Sequence, residues 1–390
     1  MLKKLSVVSL ILALVVLAMA GCGEKQQGSP QGGSQSAAKE PVKIGLALPM
    51  TGVAALYGEQ INKGVELARE QINGGGGILG GRQIQIILED DKASPEEGVN
   101  ITQKLINRDK VQAVTGGVNS SVSLAQIPIT KAAGKLHIVT TSMAPSIVEQ
   151  GHPYLFQLNT DNNVKGDFFY PWVAKKQPQL KKVSMLVENT DYGRAEVETI
   201  KRNWKDPNGP QLSNIEWFQL GETNFTIQLT KIKSQNPDAL IITVAAPATN
   251  GTILKQAKEV AFNKTLLMAP GNLNKDVVKI AAGAADGLLS ADHYISTLDN
   301  PENKTFIQAF EKKFSYTPEK MEVQGYETVY LVAQAMEKVK TADDPAKLAE
   351  ALRTTTWKTP RGDLTFNEKG RVGGKMYPLV VKQGKIVLAE

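Results

Sequence analysis

In VTGGVNSSVSL (residues 114–124) an apolar run stops at two glycines, and Asn119, Ser120 and Ser121 then open a helical pattern. Backbone N–H groups exposed at a helix start, together with the helix dipole, attract an anion, and serine hydroxyls add donors. A carboxylate is the natural guest of such a place. The other account of these residues is simple capping, a role Asn and Ser fill routinely. Signs of catalysis are missing where they would be easiest to see. The sequence has no Walker A loop, no Gly-x-Ser-x-Gly elbow and no His-Glu-x-x-His. Its three histidines, His137, His152 and His293, fall in a strand, beside a proline and at a strand end. All three read as structural. With no thiol near them a zinc site is not expected. Asp90-Asp91 reads as a solvated strand end ahead of a helix cap. A non-enzyme without cofactor or metal is expected.

The elements that must position these residues alternate regularly. Apolar runs at 42–50, 82–90, 111–117 and 136–141 read as buried parallel strands. Between the first two runs, Ile61, Val65, Ala68 and Ile72 share one helical face. GGGGILGG (74–81) precedes a strand instead of following one, so it is a long turn and not a phosphate cradle. Ser94, Pro95 and Glu97 spell a helix start with a capping box. The alternation resumes with strands at 183–189, 215–220, 239–245, 265–270 and 287–293, and with Val197, Ile200 and Trp204 on one helical face. Two long helices near 302–315 and 320–339 follow, expected to return to the first lobe, and a β-rich tail begins at Leu364. Alternating β and α gives parallel sheets flanked by helices, and roughly 350 residues exceed one compact core, so two lobes are expected. Ligands of open parallel sheets bind beyond the carboxyl ends of the strands. That rule selects residues 51–57, 90–91, 116–121, 140–143, 188–192, 245–249 and 270–272 as rims of a cleft.

The amino terminus carries a different chemistry. Lys3 and Lys4, an apolar run to Met19, then Ala20 and Gly21 follow the order of a secretory signal peptide, and the run is short for a bilayer span. Cys22, the sole cysteine, comes next, so no intramolecular disulfide is possible. Met-Ala-Gly-Cys resembles the lipobox of bacterial lipoproteins, which implies lipidation of Cys22. Residues 23–40 are rich in Gly, Ser and Gln, a composition that makes a flexible tether. The net charge of +6 falls by two when the leader is removed, and its charges alternate, so nucleic acid is not an expected partner.

Taken in order, VKIGLALPMTGVAALYGEQINKGVELAREQIN, GGILGGRQIQIILEDDKASPEEGVNITQKLI, VTGGVNSSVSLA, VENTDYG and MEVQGYETVYLVAQAM resemble the branched-chain amino-acid (Leu/Ile/Val-type) solute-binding proteins of ABC importers. The resemblance spans nearly all of 42–390. It implies an α/β, two-lobed type I periplasmic-binding fold with three crossing strands that closes on its ligand. It implies that Ser120, assisted by Ser121, Thr141, Ser142 and Met143, holds a ligand carboxylate. Tyr57 would line the side-chain pocket, and Tyr192 would reach in from the second lobe. Amino-acid binders of this kind pair the ligand ammonium with an acid near the end of the second lobe's fourth strand. Gly271 stands there, and Glu188 or Asp191 would have to substitute.

The expected organisation is a signal peptide at 1–21, a lipidated Cys22 with tether at 22–41, a first lobe of 42–161 plus 291–355, and a second of 162–290 plus 356–390. The expected function is that of a monomeric, lipid-anchored receptor on the extracytoplasmic face of a bacterial cell membrane. It would capture a small carboxylate-bearing solute, a branched-chain or other apolar amino acid or a related organic acid, for a permease and ATPase. The alternatives are a sensing subunit of a signalling system, or a binder of an aromatic acid, an amide or a urea-like solute.

Overall fold

A computed structural model describes residues 39–390; the leader 1–21, Cys22 and the tether as far as residue 38 lie outside the described residues. The final tether positions are tied down: Lys39 Nζ donates to the Gly80 carbonyl at 2.8 Å and Arg82 Nε to that of Glu40 at 2.9 Å.

The first half runs β1 (Val42–Leu48), α1 (Ala55–Gly74), β2 (Ile84–Asp90), α2 (Pro95–Asn107), β3 (Ala113–Gly116), α3 (Ser120–Ala132), β4 (Leu136–Val139) and β5 (Leu155–Gln157). In β1 all but Lys43 are buried, because helices cover both faces of the sheet. Half of the expected capping box forms at α2. Ser94 accepts from the Glu97 N–H, but the Glu97 carboxylate turns to Lys92 at 2.8 Å. The strands are parallel in the order β2-β1-β3-β4-β5.

The second half repeats that plan through α4 (Asn162–Lys176), β6 (Lys182–Glu188), α5 (Asp191–Asn203), β7 (Gln211–Phe218), α6 (Thr226–Ser234), β8 (Ala239–Thr243), α7 (Pro247–Glu259), β9 (Thr265–Met268), α8 (Lys275–Ala281) and β10 (Leu289–Asp292). Its parallel order, β7-β6-β8-β9-β10, is the order of the first sheet over again. Then come α9 (Pro301–Phe314), α10 (Lys320–Val339), α11 (Pro345–Thr354), the β11–β12 hairpin (Trp357–Thr359 and Gly362–Leu364), β13 (Tyr377–Lys382) and β14 (Lys385–Leu388). The last two strands extend the second sheet antiparallel at β10.

As expected, the late helices return to the first core: α10 lies along α1, with Gly64 against Glu322 and Gly325 against Ile61, backbone to backbone. The tail departs from expectation. Trp357, Leu364, Phe366 and Val372 pack in the first core, and Phe366 meets Phe156 edge to face at 5.1 Å. The return to the second sheet therefore comes at Tyr377 and not at residue 356, because the aromatic side chains of this segment fill space beside β5. Likewise β10, to Asp292, belongs to the second sheet, two residues past the expected end of that segment at 290. Among the described residues no helix is long and apolar enough to cross a membrane.

Candidate functional site

In each sheet the strand order reverses beside its first strand, between β1 and β3 and between β6 and β8. A crevice opens at such a reversal. At the first crevice Gly116 and Gly117 adopt φ of +112° and +85°, a region closed to most side chains, and turn the chain from β3 into α3. Asn119 occupies the N-cap without a side-chain cap bond, and both of its amide atoms are buried without a partner. Ser120 does not cap either. Its buried Oγ accepts from the N–H groups of Met143 at 3.2 Å and Ala144 at 3.1 Å, which pins the loop after β4 against α3. The hydroxyl proton is still available to donate.

Two of the expected hydroxyls are committed elsewhere. Thr141 Oγ1 donates back to the Gly117 carbonyl at 3.2 Å, and Ser142 Oγ pairs with Ser123 Oγ at 2.7 Å inside the core. The structure therefore gives Thr141 and Ser142 to the loop and leaves Ser120 and Asn119 with unused capacity. Ser121 reaches across the seam, its Oγ accepting the Asp191 N–H at 3.2 Å at the start of α5.

The rest of the expected set converges. Met143 packs with Tyr192 and Ala245 in a small buried apolar cluster joining the loops after β4 and β8 to the first turn of α5. Tyr192 OH accepts from Asn272 Nδ2 at 2.7 Å, and Tyr57 OH from Asn274 Nδ2 at 3.1 Å. Both tyrosines are buried, and burial raises both phenols far above their usual range, so they stay neutral. Gly271 follows β9 with φ +91°; its N–H donates to Ala291 at 2.8 Å and its carbonyl accepts from Lys320 Nζ.

Neither acid considered as a substitute at Gly271 is free. Glu188 is buried and accepts from the Ala245 N–H at 2.8 Å and the Thr190 hydroxyl at 2.6 Å. Burial pushes its carboxyl up to about 7. Asp191 is partly exposed and lies 3.6 Å from Arg194. At the edge of the site Asp292 pairs with Lys320 at 2.9 Å. Burial opposes its ionisation, but the Lys320 ammonium, the hydrogen bond with His293 and the Lys165 ammonium together outweigh that and hold the carboxyl well below its usual range.

The three histidines are buried and neutral at pH 7. Burial pushes His137 and His293 down to about 3 and His152 to about 4. Asp90 accepts from Met50 and Thr51 and closes the loop before α1, whereas Asp91, expected in solvent, is buried. Among the described residues no group of His, Cys, Asp and Glu could hold a metal ion.

Residues that the strand-end rule passed over also line this region. Lys165, in the first turn of α4, is buried with Nζ 3.0 Å from Met143 Sδ and 3.1 Å from Asn159 Oδ1. Asn159 in turn donates to the Thr141 carbonyl. The buried face of α4 carries Asn162, Lys165 and Gly166 as well as Phe169 and Tyr170, so it shows no clean apolar stripe. A lysine in such a pattern reads as a surface residue, and no sequence signal marked it.

Two lobes of one topology, each offering its crevice to a shared buried seam, define a type I periplasmic-binding architecture: a receptor for a small solute. The comparisons agree. The family described as "Periplasmic binding protein" matches residues 41–385, and the chain belongs to it. A leucine-, isoleucine-, valine-, threonine- and alanine-binding protein of Pseudomonas aeruginosa is 31% identical over 337 residues, covering 86% of this chain and 88% of the relative. The Leu/Ile/Val-binding protein of Escherichia coli is 28% identical over 351 residues, covering 87% and 90%. Among solved structures, a solute-binding protein of an ABC transporter from R. palustris in complex with benzoate superposes with a TM-score of 0.83 at 26% identity, covering 89% of this chain and 95% of its own.

Proposed function

We propose that this protein is the extracytoplasmic solute-binding subunit of an ABC importer, tethered to the membrane through a lipid on Cys22. It captures a small carboxylate-bearing solute between its lobes and presents it to a permease and ATPase. One observation carries the reading: at the β1/β3 crevice, a buried Asn119 amide without partners and the unspent Ser120 proton sit together at the start of a 13-residue helix. Such a place favours a carboxylate. Tyr57, Met143, Tyr192 and the backbone around Gly271 supply the surround, and methionine adapts to more than one shape. The relatives named for branched-chain amino acids and the relative holding benzoate share a carboxylate as their common feature. The geometry around Gly271 favours acids without an ammonium group, since no carboxylate there is free to receive one.

A thermal-shift screen tests this. The panel pairs leucine, valine and phenylalanine with their 2-oxo and deaminated acids, with benzoate and with the corresponding amides. A solute at ~100 times its dissociation constant stabilises by about 2.7 kcal/mol, several degrees in a protein of this size. A shift from amides but from no carboxylate overturns the reading.

A further inference from the structure

Lys165 is 1% exposed, and a buried ammonium is costly unless it is paired. Its two close contacts are a neutral amide oxygen and a thioether sulfur. Among the described residues no carboxylate pairs with it, because the acids facing it from each neighbouring element are engaged. At the start of its own helix, Asp161 lies 2.7 Å from Arg371. On α5, Glu196 is held by Asn162 and Tyr170. On β10, Asp292 pairs with Lys320 from α10, with His293 beside it. Arg361 after β11 pairs with Glu327 at 2.6 Å. Lys320 also adds a second positive charge, and burial followed by that repulsion pushes the Lys165 ammonium down to about 7.

The direction of the ammonium is equally informative. A Cβ placed on Gly271 would come within 2.5 Å of Lys165 Nζ and 3.2 Å of Met143 Sδ. Lys165 therefore points across the seam at the two residues that bound the candidate site, one from each lobe.

Resting on the carboxylate reading above, we propose that Lys165 sets the charge of the guest: it pairs with the negative group of an organic acid that lacks an ammonium, and it disfavours zwitterionic amino acids. Mono-acids and diacids both meet this requirement. A zwitterion does not, because its ammonium faces a like charge and finds no free carboxylate. An anion beside Lys165 favours its charged form, so binding takes up a proton above neutral pH, and affinity falls as the pH rises beyond about 7.

The test is isothermal titration calorimetry of the purified protein with 4-methyl-2-oxopentanoate against leucine, 3-phenylpropanoate against phenylalanine, and benzoate. Titrations at pH 8 in two buffers of different ionisation enthalpy read the proton uptake. The expected result is an acid bound at least tenfold more tightly than its amino acid, with proton uptake. Lys165→Met should lower the acid's affinity tenfold or more, abolish the uptake and leave the amino acid no weaker, whereas Lys165→Arg should keep the preference for the acid. Equal affinities within a pair, a preference for the amino acid, or acid binding and proton uptake unchanged in Lys165→Met would overturn the proposal while leaving the carboxylate reading intact. Binding of no carboxylate in the panel would overturn both.

Discussion

Removing the Ser120 hydroxyl separates the role seen in the structure from the one proposed for it. The Oγ accepts from two buried N–H groups, those of Met143 and Ala144. In Ser120→Ala both donors lose their partner, and an unmade buried hydrogen bond costs about 1–3 kcal/mol each. The stability loss is therefore at least ~2 kcal/mol, more than the ~1 kcal/mol of a lost helix cap. The second role is the proton that Ser120 can give to a carboxylate. A hydrogen bond to a charged group contributes ~1.5–3 kcal/mol, or roughly tenfold to a hundredfold in affinity. Chemical denaturation gives the first quantity and calorimetry the second. Titrating an acid and its amide side by side removes any general loosening of the loop, since that weakens both ligands alike. The expected outcome is an acid weakened tenfold or more and an amide weakened clearly less. Equal loss for both would reduce Ser120 to a loop anchor and refute its carboxylate role.

Three further outcomes follow from other parts of the molecule. Wild-type protein should partition with membranes and Cys22→Ser should be released, because stable anchoring takes two or more acyl chains; recovery of both in the soluble fraction would remove the anchor. Small-angle scattering of stripped protein should show a smaller radius of gyration when a binding carboxylate from the thermal-shift panel is added, and an unchanged radius at saturation would exclude closure. Glu188, whose folded-state pKa of about 7 exceeds its ordinary value of 4.5, contributes stability that is full below about 4.5 and lost as pH rises through about 7. The melting temperature of unliganded protein should therefore decline over that interval and decline less in Glu188→Gln; equal slopes would show that Glu188 does not titrate there.

The strands and their alternation with helices were legible because parallel strands covered on both faces are apolar at nearly every position, as β1 and β8 are. Within the site, types were legible and directions were not. Thr141 and Ser142 have the right chemistry, but their rotamers return them to Gly117 and Ser123. Ser120 and Asn119 keep capacity on that rim, as does the hydroxyl proton of Ser121, whose oxygen accepts from Asp191. The third crossing was misplaced because Trp357 and Phe366 are apolar enough for either core, and the choice between cores is made by shape at β5. Lys165 was invisible for a related reason. Burial of a lysine depends on what surrounds it in space, and apart from Asn159 its surroundings come from the loop after β4 and from α5, β10 and α10, distant in sequence.

The seam itself explains why a receptor of this design responds to its guest. Contacts that cross it are mostly polar: Gln60 to Asp276 at 2.8 Å, Tyr57 to Asn274, Ser121 to the Asp191 N–H, and Lys165 to Met143. A net hydrogen bond contributes about 0.5–1.5 kcal/mol, since water offers nearly the same partners when the lobes part. Apolar contact across the seam is small: Val53 packs on the core of the second lobe, Ala195 on a first-lobe cluster, and Met143, Tyr192 and Ala245 form a bridging cluster. Closure is thus held by a few hydrogen bonds and one buried ion pair, Lys320 of α10 with Asp292 of β10, and opening exposes little apolar surface. Lys165 tips the balance further, because bringing its ammonium into the seam without an anion carries a desolvation cost that a solute's negative charge offsets. A ligand that touches both lobes binds the closed form selectively, and that difference in affinity is what shifts the population. On the proposed role of Lys165, the same buried charge that narrows the choice of guest also couples the guest's arrival to closure.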